Sequence, residues 1–391
     1  MKIIFGIDYI SRKNTGISSL VENLSDNLNK RGHCAYIAAV EDQYSTLDKE
    51  KFRSAELLLL NAGFKPLAAF GLLKKYLNFF LKSKADIAHI HSLWSLSSIA
   101  IYFWSKIKKR PYVISTNGML NQWALDQSKL KKQIFLAVIF KRIIRKADSI
   151  ILNSLAEKDY LEGKGWHNKF HIIPNGVTIP SFLDDKNVDH SAKGKTLLFL
   201  SRIHQKKGID LLLEAWSEVY VVTKDKGWHL NVVGFLDKEN DEFEKFIANK
   251  INTTLTLSNV SMSEGKFGKN MWDEYKLADA FVLPTFSEGS AMVVLNAWSV
   301  GKISLTTVGC NLEIGLDQEC TILIETTVNS IKEGILKLLS LSDAQIREFG
   351  QTGKKIIESN YKWDKIVEKH IEIYQHSING FDRKIDNSSK G

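Results

Sequence analysis

Arg202 and Lys207 bracket one short basic stretch, Ser201-Arg202-Ile203-His204-Gln205-Lys206-Lys207-Gly208, directly after the apolar run Leu197 to Leu200. If that run is a strand, Arg202 sits at its edge and Lys207 just before the next helix. Two cations so placed can straddle a diphosphate, the arginine as a planar fork and the lysine as a point charge. The stretch 281–301, FVLPTFSEGSAMVVLNAWSVG, supplies the complementary chemistry. Its apolar start reads as a buried strand stopped by Pro284. A tight polar turn follows, and then a helix with Met292, Val293, Leu295, Trp298 and Val300 facing inward until Gly301. Free amides at Ser290, Ala291, Met292 and Val293 would sit at a helix N-terminus suited to phosphate. Glu288 suits the hydroxyls of a sugar, and Gly289 lets a backbone come close to a ligand. Taken singly, each stretch reads equally as a solvated basic loop or an ordinary strand-to-helix turn. Their pairing on equivalent strand edges favours the functional reading.

Such residues need a sheet to hold them. A chain of 391 residues exceeds one ordinary core, so two domains are expected. Apolar runs at Lys2 to Ile7, Cys34 to Val40, Leu57 to Leu60, Asp86 to Ile90, Tyr112 to Ser115, Ser149 to Leu152 and His171 to Ile173 read as strands. They alternate with helical patterns, which implies a parallel, doubly wound α/β sheet. A second series begins at Leu197 and continues through Leu230 to Val233, the 281–301 element, Ile303 to Thr306 and Thr321 to Ile324. The expected division is a first domain at 1–178, a linker at 179–195 and a second domain at 196–360. A crossover helix at 361–378 and a disordered tail at 379–391 follow.

Charge is placed unevenly. Residues 1–178 hold 27 Lys and Arg against 14 Asp and Glu, whereas the remainder holds 26 against 30. The basic surplus of the first half points to an anionic partner. Three scattered cysteines (Cys34, Cys310 and Cys320) form neither a disulfide framework nor a zinc cluster, as expected of a reducing cytoplasm. The N-terminus has no signal-peptide pattern, and no apolar run approaches the length of a membrane span. The expectation is a soluble or peripheral protein.

In order along the chain, strand–S-R-x4-K-G–helix followed by P-T-x-x-E-G-x6-N-A-x3-G resembles the C-terminal half of family 4 retaining glycosyltransferases of the GT-B fold. The turn at Thr15-Gly16, Arg31-Gly32-His33, the segment Asp86 to Trp94, Asn117-Gly118-Met119-Leu120, Pro174-Asn175-Gly176-Val177 and Tyr361-Lys362-Trp363 fit the same pattern. The resemblance implies two Rossmann-like domains facing a cleft, with the last helix crossing back to the first domain. It also implies roles. Arg202 and Lys207 would neutralise the diphosphate of a sugar nucleotide, and Glu288 would hold the donor sugar. Gly16, Gly234, Gly289, Ser290, Ala291, Met292, Val293 and Asn296 would line the donor site. His91 and Asn117 would lie on the acceptor side.

Two positions depart from the family pattern. Asn296 stands where a second glutamate usually holds the ribose, and an amide bonds a hydroxyl more weakly than a carboxylate does. Asn117 stands where a histidine is common, and it cannot take a proton. Retaining chemistry tolerates both changes, because the leaving phosphate can itself deprotonate the acceptor. There is no Asp-x-Asp, so neither metal nor cofactor is expected. The absence of G-x-G-x-x-G and G-x4-G-K-[ST] argues against dinucleotide enzymes and P-loop NTPases.

The segment from Lys129 to Lys146 flanks an apolar middle with cations. With Lys106, Lys108, Lys109 and Arg110 it could form a membrane-facing surface, or equally a core helix with solvated ends. No nucleic-acid motif accompanies it. The expectation is therefore a cytoplasmic hexosyltransferase at the inner membrane face. It would act on a nucleotide sugar and a glycan or lipid-linked acceptor in surface polysaccharide assembly. A non-catalytic sugar-nucleotide or membrane-binding protein of the same fold, and a sugar-nucleotide epimerase, are the alternatives.

Overall fold

A computed structural model describes residues 1–11, 15–61, 68–120, 139–166, 169–184, 194–236, 241–312 and 320–388. The 129–138 part of the basic segment lies outside these. Two compact units emerge, one of Met1–Gly176 with Trp363–Gly391 and one of Val177–Lys362.

The first unit holds β1 (Lys2–Gly6), β2 (Cys34–Val40), β3 (Ala55–Leu60), β4 (Ile87–Ile90), β5 (Tyr112–Ser115), β6 (Ser149–Leu152) and β7 (Phe170–Ile172). They form one parallel sheet in the order β3-β2-β1-β4-β5-β6-β7. The second unit holds β8 (Lys195–Leu200), β9 (Trp228–Val233), β10 (Val260–Ser263), β11 (Ala280–Leu283), β12 (Ile303–Thr306) and β13 (Thr321–Leu323), ordered β10-β9-β8-β11-β12-β13 and again parallel. Helices cover both faces of each sheet. The central strands are accordingly buried at every position, without the alternation of a sheet wetted on one side. Strand order reverses between β1 and β4 in one sheet and between β8 and β11 in the other. In open parallel sheets ligands bind beyond the C-terminal strand ends at such reversals.

The last helix, Trp363–Ser388, belongs to the first unit. It buries Ile366, Val367 and Tyr374 against Phe5, Ile87, Val113 and Ile151. Gly176 explains why Pro174-Asn175-Gly176 accompanies Trp363. A β-carbon there would lie 2.5 Å from the indole, so only glycine lets the ring settle on the turn.

Several boundaries differ from the sequence reading. The N-terminal stretch of the first unit ends at Gly176. Phe182 and Leu183, placed in the linker, pack against the second core, and Lys195 already opens β8. The tail assigned to disorder continues as helix to Ser388, because Gly380 is its only breaker and an established helix extends cheaply. After Gly208 the chain forms two successive helices, Ile209–Glu218 and Tyr220–Asp225, divided at Val219.

Candidate active site

In the second unit the chain leaves β8 through Ser201 and Arg202. It makes a 3-10 turn at Gln205–Lys207, whose amide at Lys206 is capped by the His204 imidazole at 2.9 Å. Gly208 then enters the next helix with φ +66°. A β-carbon at Gly208 would stand 2.2 Å from the Pro284 carbonyl oxygen, so glycine is what lets this loop lie against the end of β11. The two loops are stitched together further. Phe286 N donates to the Lys206 carbonyl at 2.9 Å, and the buried Thr285 hydroxyl oxygen lies 2.9 Å from the same carbonyl. Glu288 N donates to Gly309 O at 2.8 Å, and Asn311 Nδ2 to Glu288 O at 2.6 Å.

Lys207 and Glu288 meet at this seam. Lys207 Nζ stands 2.5 Å from Glu288 Oε1, with the two side chains 11% and 12% exposed. The same oxygen accepts from Thr285 Oγ1 at 2.9 Å. Lys206 lies close by. Burial pulls its ammonium below the ordinary lysine value, Glu288 pulls it back up, and Lys207 and Arg202 push it down again. Arg202 is exposed at the mouth. Lys206 and Lys207 thus stand within electrostatic reach of one carboxylate, and Arg202 within reach of Lys206. Behind Glu288, burial pushes the Cys310 thiol up to about 12, and the Glu288 charge adds to the shift, so this cysteine stays protonated.

The helix after the turn spans Met292–Ser299. It is entered at Ala291 with φ −77° and ψ 70°, an inverse γ-turn in which Met292 N donates to Ser290 O at 2.8 Å. The expectation of four free amides is therefore corrected: the Met292 N–H is spent on the turn, leaving those of Ser290, Ala291 and Val293. The Ser290 hydroxyl is buried without a partner among the described residues. Gly289 lies in the turn itself. Gly234 closes β9 so tightly that a β-carbon would fall 2.1 Å from the Ser201 carbonyl oxygen, which is a packing demand from the loop carrying Arg202. Asn296 lies one turn into the helix and is half-buried.

In the first unit, Gly16 lies exposed in the first turn of the helix Thr15–Asn29, with open space where a side chain would go. Asn117 follows β5 with φ +48°, a left-handed conformation that asparagine tolerates, and its Nδ2 donates to the His91 carbonyl at 3.1 Å. The His91 ring itself is corrected away from surface chemistry. It is fully buried against Phe5 and His89, and burial holds its pKa down to about 3, with His370 adding to the effect. Residues on one strand alternate between faces, so His91 shares with His89 the face covered by the last helix.

The sequence reading passed over Asp8. It stands at the end of β1, beside β4, where the first sheet reverses. Its amide donates to Ser92 Oγ at 3.1 Å, and burial raises its carboxyl to about 6 against the lowering effect of a Ser95 hydrogen bond. An aspartate closing a β1 apolar run was the available signal.

Two family models match the chain, Glycosyltransferase Family 4 over residues 14–179 and Glycosyl transferases group 1 over 182–363. An uncharacterized glycosyltransferase of Methanocaldococcus jannaschii is 25% identical over 254 residues, 62% of each chain. The chain spans under two thirds of the first curated relatives it matches. Among solved structures, Anabaena HepE in complex with UDP and glucose superposes with a TM-score of 0.76 at 16% identity, over 96% of this chain and 100% of that one. WaaG, a glycosyltransferase involved in lipopolysaccharide biosynthesis, superposes with a TM-score of 0.68 at 16% identity, over 96% and 99%.

Proposed function

This chain belongs to the family 4 glycosyltransferases of GT-B fold, and from that premise we propose that it transfers a hexose from a nucleotide diphosphate sugar to a hydroxyl of a growing, lipid-linked glycan. The observation that carries the reading is the charge arrangement where β8 and β11 adjoin. Arg202, Lys206 and Lys207 bring cations to the strand ends where a departing diphosphate needs them. The amides at the start of the helix Met292–Ser299 add the dipole of a helix N-terminus, and the orphaned Ser290 hydroxyl needs an oxygen partner there. Glu288, held by Lys207 and Thr285 through one oxygen, keeps the other for sugar hydroxyls.

In this reading transfer proceeds with retention and without a metal. The enzyme orients donor and acceptor and stabilises charge on the leaving diphosphate, whose own oxygen takes the acceptor proton. HepE was solved with UDP and glucose, which makes a uridine donor the first to try; WaaG acts in lipopolysaccharide biosynthesis, which makes a surface glycan the first acceptor class. We place the enzyme in the cytoplasm, with Asn117 and Asp8 on the acceptor side.

Thermal stabilisation by UDP-, GDP- and ADP-sugars tests the donor half. A ligand at 100 times its dissociation constant adds about 2.7 kcal/mol of stability. Nucleoside diphosphate release on adding an acceptor extract tests the transfer half. Release of an altered sugar without acceptor would mark an epimerase, and stabilisation without any release a binding protein.

A further inference from the structure

The helix Leu96–Lys108 buries Ile99, Ile101 and Trp104 but turns Phe103, Lys106 and Ile107 outward, positions that share one helical face. Phe103 and Ile107 are 46% and 57% exposed. The short helix Lys141–Lys146 lies beside it in the same unit. Arg142 Nε donates to the Tyr102 hydroxyl at 2.9 Å, while the Lys106 ammonium stands 5.8 Å from the centre of that ring. Lys141, Arg142, Arg145 and Lys146 are all exposed, and neither helix contains an Asp or Glu. At the border Arg110 approaches Asp382 at 4.0 Å.

Like charges gathered around one tyrosine, with large apolar side chains between them, call for an anionic partner that also accepts hydrocarbon. A nucleic acid would satisfy the cations and offer nothing to Ile107. A neutral bilayer would do the reverse. We propose that this two-helix face docks on a membrane surface containing anionic phospholipid, with Phe103 and Ile107 at the headgroup boundary and the cations on phosphates. The docking goes beyond the transfer reaction and does not depend on it.

Flotation with vesicles of phosphatidylcholine alone, or mixed with phosphatidylglycerol, tests it. The protein is expected to float only with the mixed vesicles, and high salt should weaken the association. Lys106→Glu with Arg142→Glu, and separately Phe103→Ser with Ile107→Ser, should each weaken it about tenfold or more while leaving melting temperature and vesicle-free nucleoside diphosphate release unchanged. Equal flotation with neutral vesicles, unaltered binding by both double variants, or binding to a nucleic-acid duplex in preference to the mixed vesicles would overturn the proposal.

Discussion

Under the proposed function Lys207 has two roles in the second unit, and they separate experimentally. It pairs with a nearly buried carboxylate, and it faces the place assigned to the diphosphate. Removing one partner of a buried pair strands the other, at a cost of roughly 3–5 kcal/mol. Lys207→Ala should therefore lower both stability and turnover. Arg202 is exposed, so Arg202→Ala should leave the melting temperature nearly unchanged. By analogy with losing one preorganised electrostatic donor, it should lower kcat by about 10²–10³. The effect should fall on kcat more than on donor KM, because charge on the diphosphate grows as the glycosidic bond breaks. Arg202→Lys should rescue poorly, since the fork geometry is lost. Steady-state kinetics beside a melting curve distinguishes the two cations.

At the scale of elements, the two loops of the candidate site are positioned by backbone, and Gly208 is the joint. Gly208→Ala would force a left-handed conformation on alanine, costing about 1–2 kcal/mol, and would drive its methyl group into the Pro284 carbonyl. The expected result in denaturant titration is a loss larger than that figure, accompanied by lost donor binding as the Lys207–Glu288 contact opens. Wild-type stability in this variant would show that the loops do not need the close approach. The same elements show what sequence can reveal. Apolar runs such as Ala280–Leu283 announce central strands because both faces are buried. β10 escaped because Val260-Ser261-Met262-Ser263 is a half-buried edge strand with little apolar signal. Arg202, Lys207 and Glu288 were legible as types at strand ends. Three features were not: the γ-turn that spends the Met292 amide, the burial of His91, and the raised Asp8. The last two depend on contacts between segments far apart in sequence, and the first on a local backbone choice that the residue types at 290–292 do not dictate.

For the molecule as a whole, the chain's last helix is fastened to the first sheet through a histidine cluster. His89 sits between the Tyr374 hydroxyl and Ser115 Oγ, both at 2.7 Å, and His370 Nδ1 lies 2.8 Å from the Ile366 carbonyl oxygen. Burial lowers all three imidazoles, His89 well below its ordinary value, His91 to about 3 and His370 to about 4. In the unfolded chain they protonate near 6.5, so below that pH the unfolded state binds more protons and folding stability falls. The loss grows by up to about 1.4 kcal/mol per pH unit per histidine until the folded values are reached. Asp8 acts oppositely between its unfolded value of 3.8 and about 6, regaining stability as pH falls. Glu22, Glu157 and Asp210, whose carboxyls burial also raises, act with it, whereas His33 and His171, lowered by burial, add to the histidine side from pH 6.5 downward. Melting temperature should therefore drop between pH 6.5 and 5, and His91→Gln should flatten that slope; an unchanged melting temperature over that range would refute the cluster's role. The transfer reaction is tested most directly by following labelled sugar from a panel of UDP-, GDP- and ADP-sugars into an acceptor extract, in EDTA, with wild type and Arg202→Ala side by side. The account predicts that at least one donor gives transfer by the wild type, undiminished by EDTA and reduced about 10²–10³ in the variant; no transfer from any donor, or equal transfer by both proteins, would contradict it.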